Sequence, residues 1–329
     1  MQAICLQCQS KLPLISKEET GTFRCNCGNV IPYTHGIYQF VASDEFYEGR
    51  FVLTHKRTSP LQKLYATMLR LTSIDGNEER MWRKSSRYIV RHMGGKKLEI
   101  LNIGAGGGHN FLTALGSVTA IDLSLKSLMV SQQIYDYCYQ ADARCIPFPD
   151  NSFDLVFSSH LLGHIPLEYK QDVVREIYRV TKPGGFSLHS AECEADNFVY
   201  KRAKKYPDLY KKHFLDVYGH YGLEYPSICK KRFRDEGFEP VFEFSDFCKG
   251  VVRPANSYKV FFGDREYRKK DWLFHLLASL SEILSFNRYM NLVSGNFLYL
   301  LTPLNRLGGP DSVDSVKLLY QKKQRPVVK

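Results

Sequence analysis

Residues 98–110 read LEILNIGAGGGHN. Six residues of strand character run into Gly104, Gly106, Gly107 and Gly108, and then into the start of a helix. Glycines at such a junction let backbone approach a ligand closely and leave helix N-terminal N–H groups for an anion. The spacing excludes a nicotinamide-type dinucleotide turn, which needs a small residue where His109 stands. Outward from this stretch, apolar runs alternate with helical ones from Lys97 onward, the pattern of a parallel α/β sheet. Strands are expected at 98–103, 117–122, 153–158 and 186–190. A helix over 168–180 should stop at Thr181-Lys182-Pro183-Gly184-Gly185. Asp122 closes the second strand, where a carboxylate can accept hydrogen bonds from a pair of ligand hydroxyls.

The flanks differ in character. Residues 1–42 hold Cys5-x-x-Cys8 and Cys25-x-Cys27, two tight pairs of thiols. The spacing predicts one zinc ion bound by Cys5, Cys8, Cys25 and Cys27, structural because protein fills all four positions; four separately buried cysteines are the alternative. Nine cysteines, an odd number, fit a reducing compartment, here the cytoplasm, better than a disulfide framework. Residues 43–95 read as a polar helical linker and 96–194 as the core of the sheet. Residues 195–308 read as a cap, an insertion and the last strands, expected at 240–244 and 296–302, and 309–329 as a basic, mobile tail. Within the insertion, the mainly apolar stretch 272–286 reads as a core helix, a lid or a membrane-surface element, too short to span a bilayer. The net charge of +11 is uneven: residues 196–329 carry 24 Lys/Arg against 15 Asp/Glu, and residues 1–195 carry 21 against 19. An anionic partner would therefore meet the second half first.

Gly104-x-Gly106-x-Gly108 after a strand resembles the first motif of class I S-adenosylmethionine-dependent methyltransferases, and further stretches follow in family order. Asp122 matches the ribose-binding acid. Ala141-Asp142-Ala143 and then Ile146-Pro147-Phe148 resemble the adenine-contacting segment. Residues 152–156, SFDLV, resemble the fourth strand, and residues 176–185 resemble the family's E-x-x-R-V-L-K-P-G-G. The resemblance, to the type 11 branch, spans 98–186. It implies an α/β fold with a Rossmann-like seven-stranded sheet, preceded by a zinc ribbon and carrying a helical cap. It also implies S-adenosyl-L-methionine held by Gly104, Ala105, Gly106, Gly108, Asp122, Leu123, Asp142, Ala143 and Ser159. Asn102 stands beneath the loop where the family often has an acid. The cysteine segment is similar to the zinc ribbons at the N-termini of some methyltransferases. Its ending, residues 31–37, resembles that of the small zinc-ribbon partners of transfer-RNA methyltransferases.

In this fold the loop after the fourth strand faces the methyl group, and here it reads SSHLLGHI over 158–165. His160 is the candidate for contacting the acceptor and His164 for supporting the cofactor; a histidine packed at a helix start is the plainer reading of His160. No Asn-Pro-Pro-Tyr motif for DNA-base amino groups follows the strand. The runs Lys201-Arg202-Ala203-Lys204-Lys205 and Lys230-Lys231-Arg232, with Tyr206 and Tyr210, would suit phosphates and stacked bases, or an acidic or diphosphate-bearing sugar. The expected activity is O-methylation of a sugar, glycolipid or related small metabolite. An RNA methyltransferase using the ribbon and the basic half is the alternative, and a non-catalytic binding scaffold is the third reading.

Overall fold

The computed structural model describes residues 1–50, 75–196, 198–245, 265–273, 311 and 315–323. The middle of the expected linker, residues 274–286 of the apolar stretch and the strand expected at 296–302 lie outside them. The strands read from the apolar runs form the middle of one mixed sheet. β4 (Leu98–Ile103) lies between β5 (Gly116–Asp122) and β7 (Phe153–Ser159), parallel to both, with β6 (Tyr137–Gln140) beyond β5 and β8 (Thr181–Glu192) beyond β7. The runs of β4 and β7 are mainly apolar without alternation because both faces are covered; residues 153–158 are buried throughout. β9 (Phe238–Ser245) and β10 (Ser315–Lys322) finish the sheet, β10 inserting antiparallel between β8 and β9. The order β6-β5-β4-β7-β8-β10-β9 is the expected seven-stranded Rossmann-like unit.

The ribbon is not a separate module. Its strands β1 (Gly21–Arg24), β2 (Val30–Thr34) and β3 (Ile37–Gln39) continue the sheet, because β3 pairs parallel with β6. Cys5, Leu12, Cys25, Ile31 and Tyr38 share one apolar cluster with Ile121, Tyr139 and Phe148 of the sheet. Within the expected linker, α1 (Asp75–His92) is helical but residues 45–50 form turns.

Helix α4 (Lys170–Val180) carries the Glu176/Arg179 pair, whose part is structural. The Arg179 guanidinium donates to the carbonyls of Ile146 at 2.8 Å and Phe148 at 2.7 Å, while Glu176 Oε2 accepts the Ile146 N–H at 2.8 Å. The helix thereby clamps the Ile146-Pro147-Phe148 segment against the sheet. The cap's helices are short: α5 (Phe198–Ala203), α6 (Pro207–Tyr210) and one π-helical segment (Lys211–Asp216) precede α7 (Pro226–Asp235). Pro207 and Pro226 each occupy a first helical position, where a missing N–H costs nothing and begins a new helix.

The tail expected after Gly308 is corrected most plainly. Residues 315–320 are all buried in β10, and the charge that marked the segment as solvent-facing is paired inside. Lys322 Nζ donates to Asn151 Oδ1 at 2.9 Å and to the carbonyls of Tyr178 at 2.7 Å and Thr181 at 2.8 Å. Leu318 is fully buried opposite His189. Leu318→Ala should therefore lower stability by about 2–5 kcal/mol in denaturant unfolding. A loss within about 0.5 kcal/mol, typical of a surface site, would remove this segment from the sheet.

Candidate active site

The loop after β4 takes a shape that side chains resist. Gly104, Gly106, Gly107 and Gly108 all have positive φ, from +61° to +147°. A Cβ on Gly104 would meet Leu161 Cδ1 at 2.9 Å, and one on Gly108 would meet Ile134 Cδ1 at 2.7 Å and the Tyr135 ring at 3.0 Å. Asp122, at the end of β5, binds the loop from the side: Oδ2 accepts the Gly106 N–H at 2.9 Å and Oδ1 accepts the Ser124 N–H at 2.8 Å. Burial raises its carboxyl pKa, and the backbone donors from Gly106 and Ser124 oppose that. Each oxygen keeps acceptor capacity beyond these bonds. Beneath the loop, the buried Asn102 donates Nδ2–H to the Tyr135 hydroxyl at 3.0 Å, and the same hydroxyl accepts the His109 N–H. Tyr135 thus ties Asn102 to the loop from 33 residues away.

One cavity of about 880 Å³ brings most expected residues together. Gly104, Ala105, Gly106, Asp122, Leu123, Asp142, Ala143, Ser159, His160 and His164 all line it; Gly108 does not, and serves packing against Tyr135. Asp142 is engaged by Arg144, which donates from its backbone N–H at 2.8 Å and from Nε at 2.8 Å, and lies 4.5 Å over the Tyr169 ring. The remaining wall comes from residues that no local motif marks: Phe46, Tyr47, Arg50, Trp82 and Tyr221. Trp82, on α1, stacks on Phe111 at 5.0 Å and meets the edge of His109 at 5.0 Å. The turn at 45–50 is fixed by Glu48, whose carboxylate accepts the Leu125 and Lys126 N–H groups at 3.1 and 3.0 Å where helix α3 (Leu125–Ser131) begins.

The loop after β7 delivers two histidines. His160 takes a left-handed φ of +57°, and its Nδ1 bonds to Glu192 at the end of β8. His164 directs Nδ1 to the Gly219 carbonyl at 3.1 Å and packs edge-on against Tyr47 and beside His220. Burial lowers the pKa of His164, and lowers that of His220 to about 4. Burial works to raise the Glu192 carboxyl, but His160, His164 and His220 around it prevail and hold it at about 2. Glu192 and His220 were not among the expected residues; only the position of Glu192 at a strand's carboxyl end could have marked it.

In the ribbon, Cys8 Sγ lies 3.4 Å from Cys25 Sγ and Cys5 Sγ 3.7 Å from Cys27 Sγ, and all four sulfurs lie within 4.8 Å of one another. Tetrahedral bonds of about 2.3 Å place sulfurs about 3.8 Å apart, so the set fits zinc.

The basic runs are largely committed to carboxylates. Lys201 pairs with Asp196, Arg202 with Asp271, Lys204 with Glu194, Lys231 with Asp235 and Arg232 with Glu224. Tyr210, expected as a stacking platform, is buried in the cap with its hydroxyl on Glu194.

Residues 101–188 match the protein family described as "Methyltransferase domain". Malonyl-[acyl-carrier protein] O-methyltransferase of Erwinia billingiae is 36% identical over 111 residues, 31% of this chain and 41% of that protein. Phthiotriol/phenolphthiotriol dimycocerosates methyltransferase 1 of Mycobacterium ulcerans is 28% identical over 134 residues, 35% of this chain and 47% of that protein. A ubiquinone/menaquinone biosynthesis C-methyltransferase of Pseudomonas savastanoi is 28% identical over 160 residues, 44% of this chain and 60% of that protein. The chain spans 41–60% of the length of these curated relatives. Residues 101–188 thus align with a methyltransferase domain.

Proposed function

We propose that the chain transfers a methyl group from S-adenosylmethionine to an oxygen of a small acceptor, a sugar, glycolipid or related metabolite. One observation carries this reading: a single cavity, within the size range of small-molecule sites, is lined by both the glycine loop with Asp122 and the histidine loop after β7. When bound, the cofactor supplies an electrophilic methyl group on a sulfonium. Asp122 accepts the ribose hydroxyls with its remaining lone pairs, and the backbone of Gly104, Ala105 and Gly106 closes on the ligand. Leu123, Asp142 and Ala143 border the adenine, and Ser159 the reacting end. His160, steadied by Glu192, contacts the acceptor, and His164 shapes the wall beside it. Catalysis then consists mainly of alignment. Phe46, Tyr47, Trp82 and Tyr221 give the cavity aromatic walls suited to an acceptor with an apolar part. The relatives' names support a small-molecule or lipid acceptor: they print a malonyl group on acyl-carrier protein, phthiotriol/phenolphthiotriol dimycocerosates and, for a C-methyltransferase, ubiquinone/menaquinone biosynthesis.

An RNA acceptor draws on the ribbon and the basic half, but the pairing of Lys201, Arg202, Lys204, Lys231 and Arg232 and the burial of Tyr210 weaken it. Arg50 and Arg144 line the cavity, as Lys204 and Lys205 do not, and they replace those lysines as the cations that meet an acidic acceptor. Among the described residues no helix is long and apolar enough to cross a membrane.

Asp122→Ala should weaken S-adenosylmethionine by about 1–3 kcal/mol in calorimetry, through lost charge-assisted hydrogen bonds and a loosened loop. Unchanged affinity would remove Asp122 from the binding site. With radiolabelled cofactor, a mixed polar-lipid and glycan extract should take up label and mixed RNA should not; label confined to RNA would overturn the acceptor class. The ribbon holds one structural zinc, so Cys25→Ser should cost about one zinc equivalent per chain by elemental analysis. Because the ribbon strands are part of the sheet, the same variant should also lower the unfolding midpoint of the whole chain. Full zinc retention would overturn the ligand set.

A further inference from the structure

We propose that His164, Glu192 and His220 bind a divalent transition-metal ion of the zinc kind on the wall of the cavity, leaving a position for an oxygen of the acceptor. The acceptor clause rests on the methyl-transfer reading; the metal clause does not. Three separate segments converge here: the loop after β7, the end of β8 and the cap loop around 219–222. Their ligand atoms all lie within 4.8 Å of one another. Two imidazoles and one carboxylate are a donor set that zinc and its first-row neighbours accept, and three protein donors leave coordination positions open.

The hydrogen bonding within the cluster is incomplete in the way a cation would complete. Glu192 Oε2 and His220 Nδ1 are shut from solvent and have no hydrogen-bond partner among the described residues. Leaving two such atoms unmatched is costly, more so for a carboxylate oxygen. Their neighbours are oriented as the outer partners of metal ligands usually are. Gly219 fixes His164 through Nδ1, which assigns Nε2 as the ligating nitrogen, and His160 occupies the other oxygen of Glu192.

The site is also built rather than incidental. The Gly222 N–H donates to the Gly163 carbonyl at 3.0 Å, locking the cap loop onto the β7 loop. A Cβ on Gly222 would overlap the Ile165 carbonyl oxygen at 1.6 Å, and one on Gly163 would press on Glu192 Oε2 at 3.1 Å. At Gly222 only a glycine allows this approach. The donor set differs in kind from the four thiolates of the ribbon, so the two sites can be told apart spectroscopically. His164 lines the cavity, which puts the ion within reach of a ligand there.

The test uses the full chain, stripped with a chelator, reloaded with Co²⁺ and desalted. Cobalt is counted by elemental analysis and typed by visible absorption, where thiolate ligands give intense charge-transfer bands and nitrogen/oxygen ligands only weaker ligand-field bands. Glu192→Gln and His220→Ala should each retain about one equivalent less than the native chain. They should lose the weaker bands and keep the thiolate bands, which also report that the variant has folded around its ribbon. Equal cobalt in the native chain and both variants, or native spectra showing thiolate ligation alone, would overturn the site. Failure of the native protein to bind S-adenosylmethionine would instead sink the methyl-transfer reading and leave the metal count standing.

Discussion

The carboxylate of Asp122 is the constraint on which the site depends. A run of glycines with positive φ is entropically expensive to hold in one shape, and the Ala105 carbonyl, accepting the Gly107 and Gly108 N–H groups at 2.7 Å, holds part of it from within. Asp122 does so from the neighbouring strand, tying the Gly106 and Ser124 N–H groups to one side chain. The Tyr135 hydroxyl does the same from below through His109 and Asn102. With the loop fixed between these two acceptors, the cavity has a floor, and the strands to either side set where its walls begin.

A second set of buried charges fixes the cap above that floor. Lys170, almost fully buried, pairs with Glu224 at 3.3 Å, and Arg232 meets the same carboxylate at 2.7 Å. One side chain thereby links α4, the loop after 219–222 and α7. Buried pairs of this kind lose much of their attraction to desolvation and are better read as fixing geometry than as adding stability. What they fix is the approach of Gly222 to Gly163, and so the place of His220. The large net charge says little about partners while many basic groups already face carboxylates of the same chain, most of them at the surface.

What could be read from the sequence is what local pattern controls. The bounds of β4 follow from an apolar run ending in glycine, and the stop of α4 from Pro183-Gly184-Gly185. The glycine loop and Asp122 are legible because their chemistry depends on spacing along the chain. β10 was not, since Lys317 and Lys322 make a buried strand look like a solvated tail until the carbonyls that satisfy Lys322 are seen. The cavity walls were not, since Phe46, Trp82 and Tyr221 reach the site only through tertiary packing and carry no mark of it locally. The histidine loop falls between: its position after the fourth strand was readable, but the carboxylate and third histidine that complete it come from elsewhere.

The pairing of β3 with β6 has a consequence for how the protein ages. A parallel sheet that ended at β6 would present a bare row of N–H and C=O groups, with Tyr139 beside it, as a template for another chain. The ribbon closes that edge with a short antiparallel hairpin, and the Tyr38 ring stacks on Tyr139 at 6.4 Å. Oxidation of the exposed Cys8 or Cys27 would therefore do more than loosen a peripheral finger. By peeling the hairpin away it would uncover the edge of β6, and the damage should show as self-association of the chain.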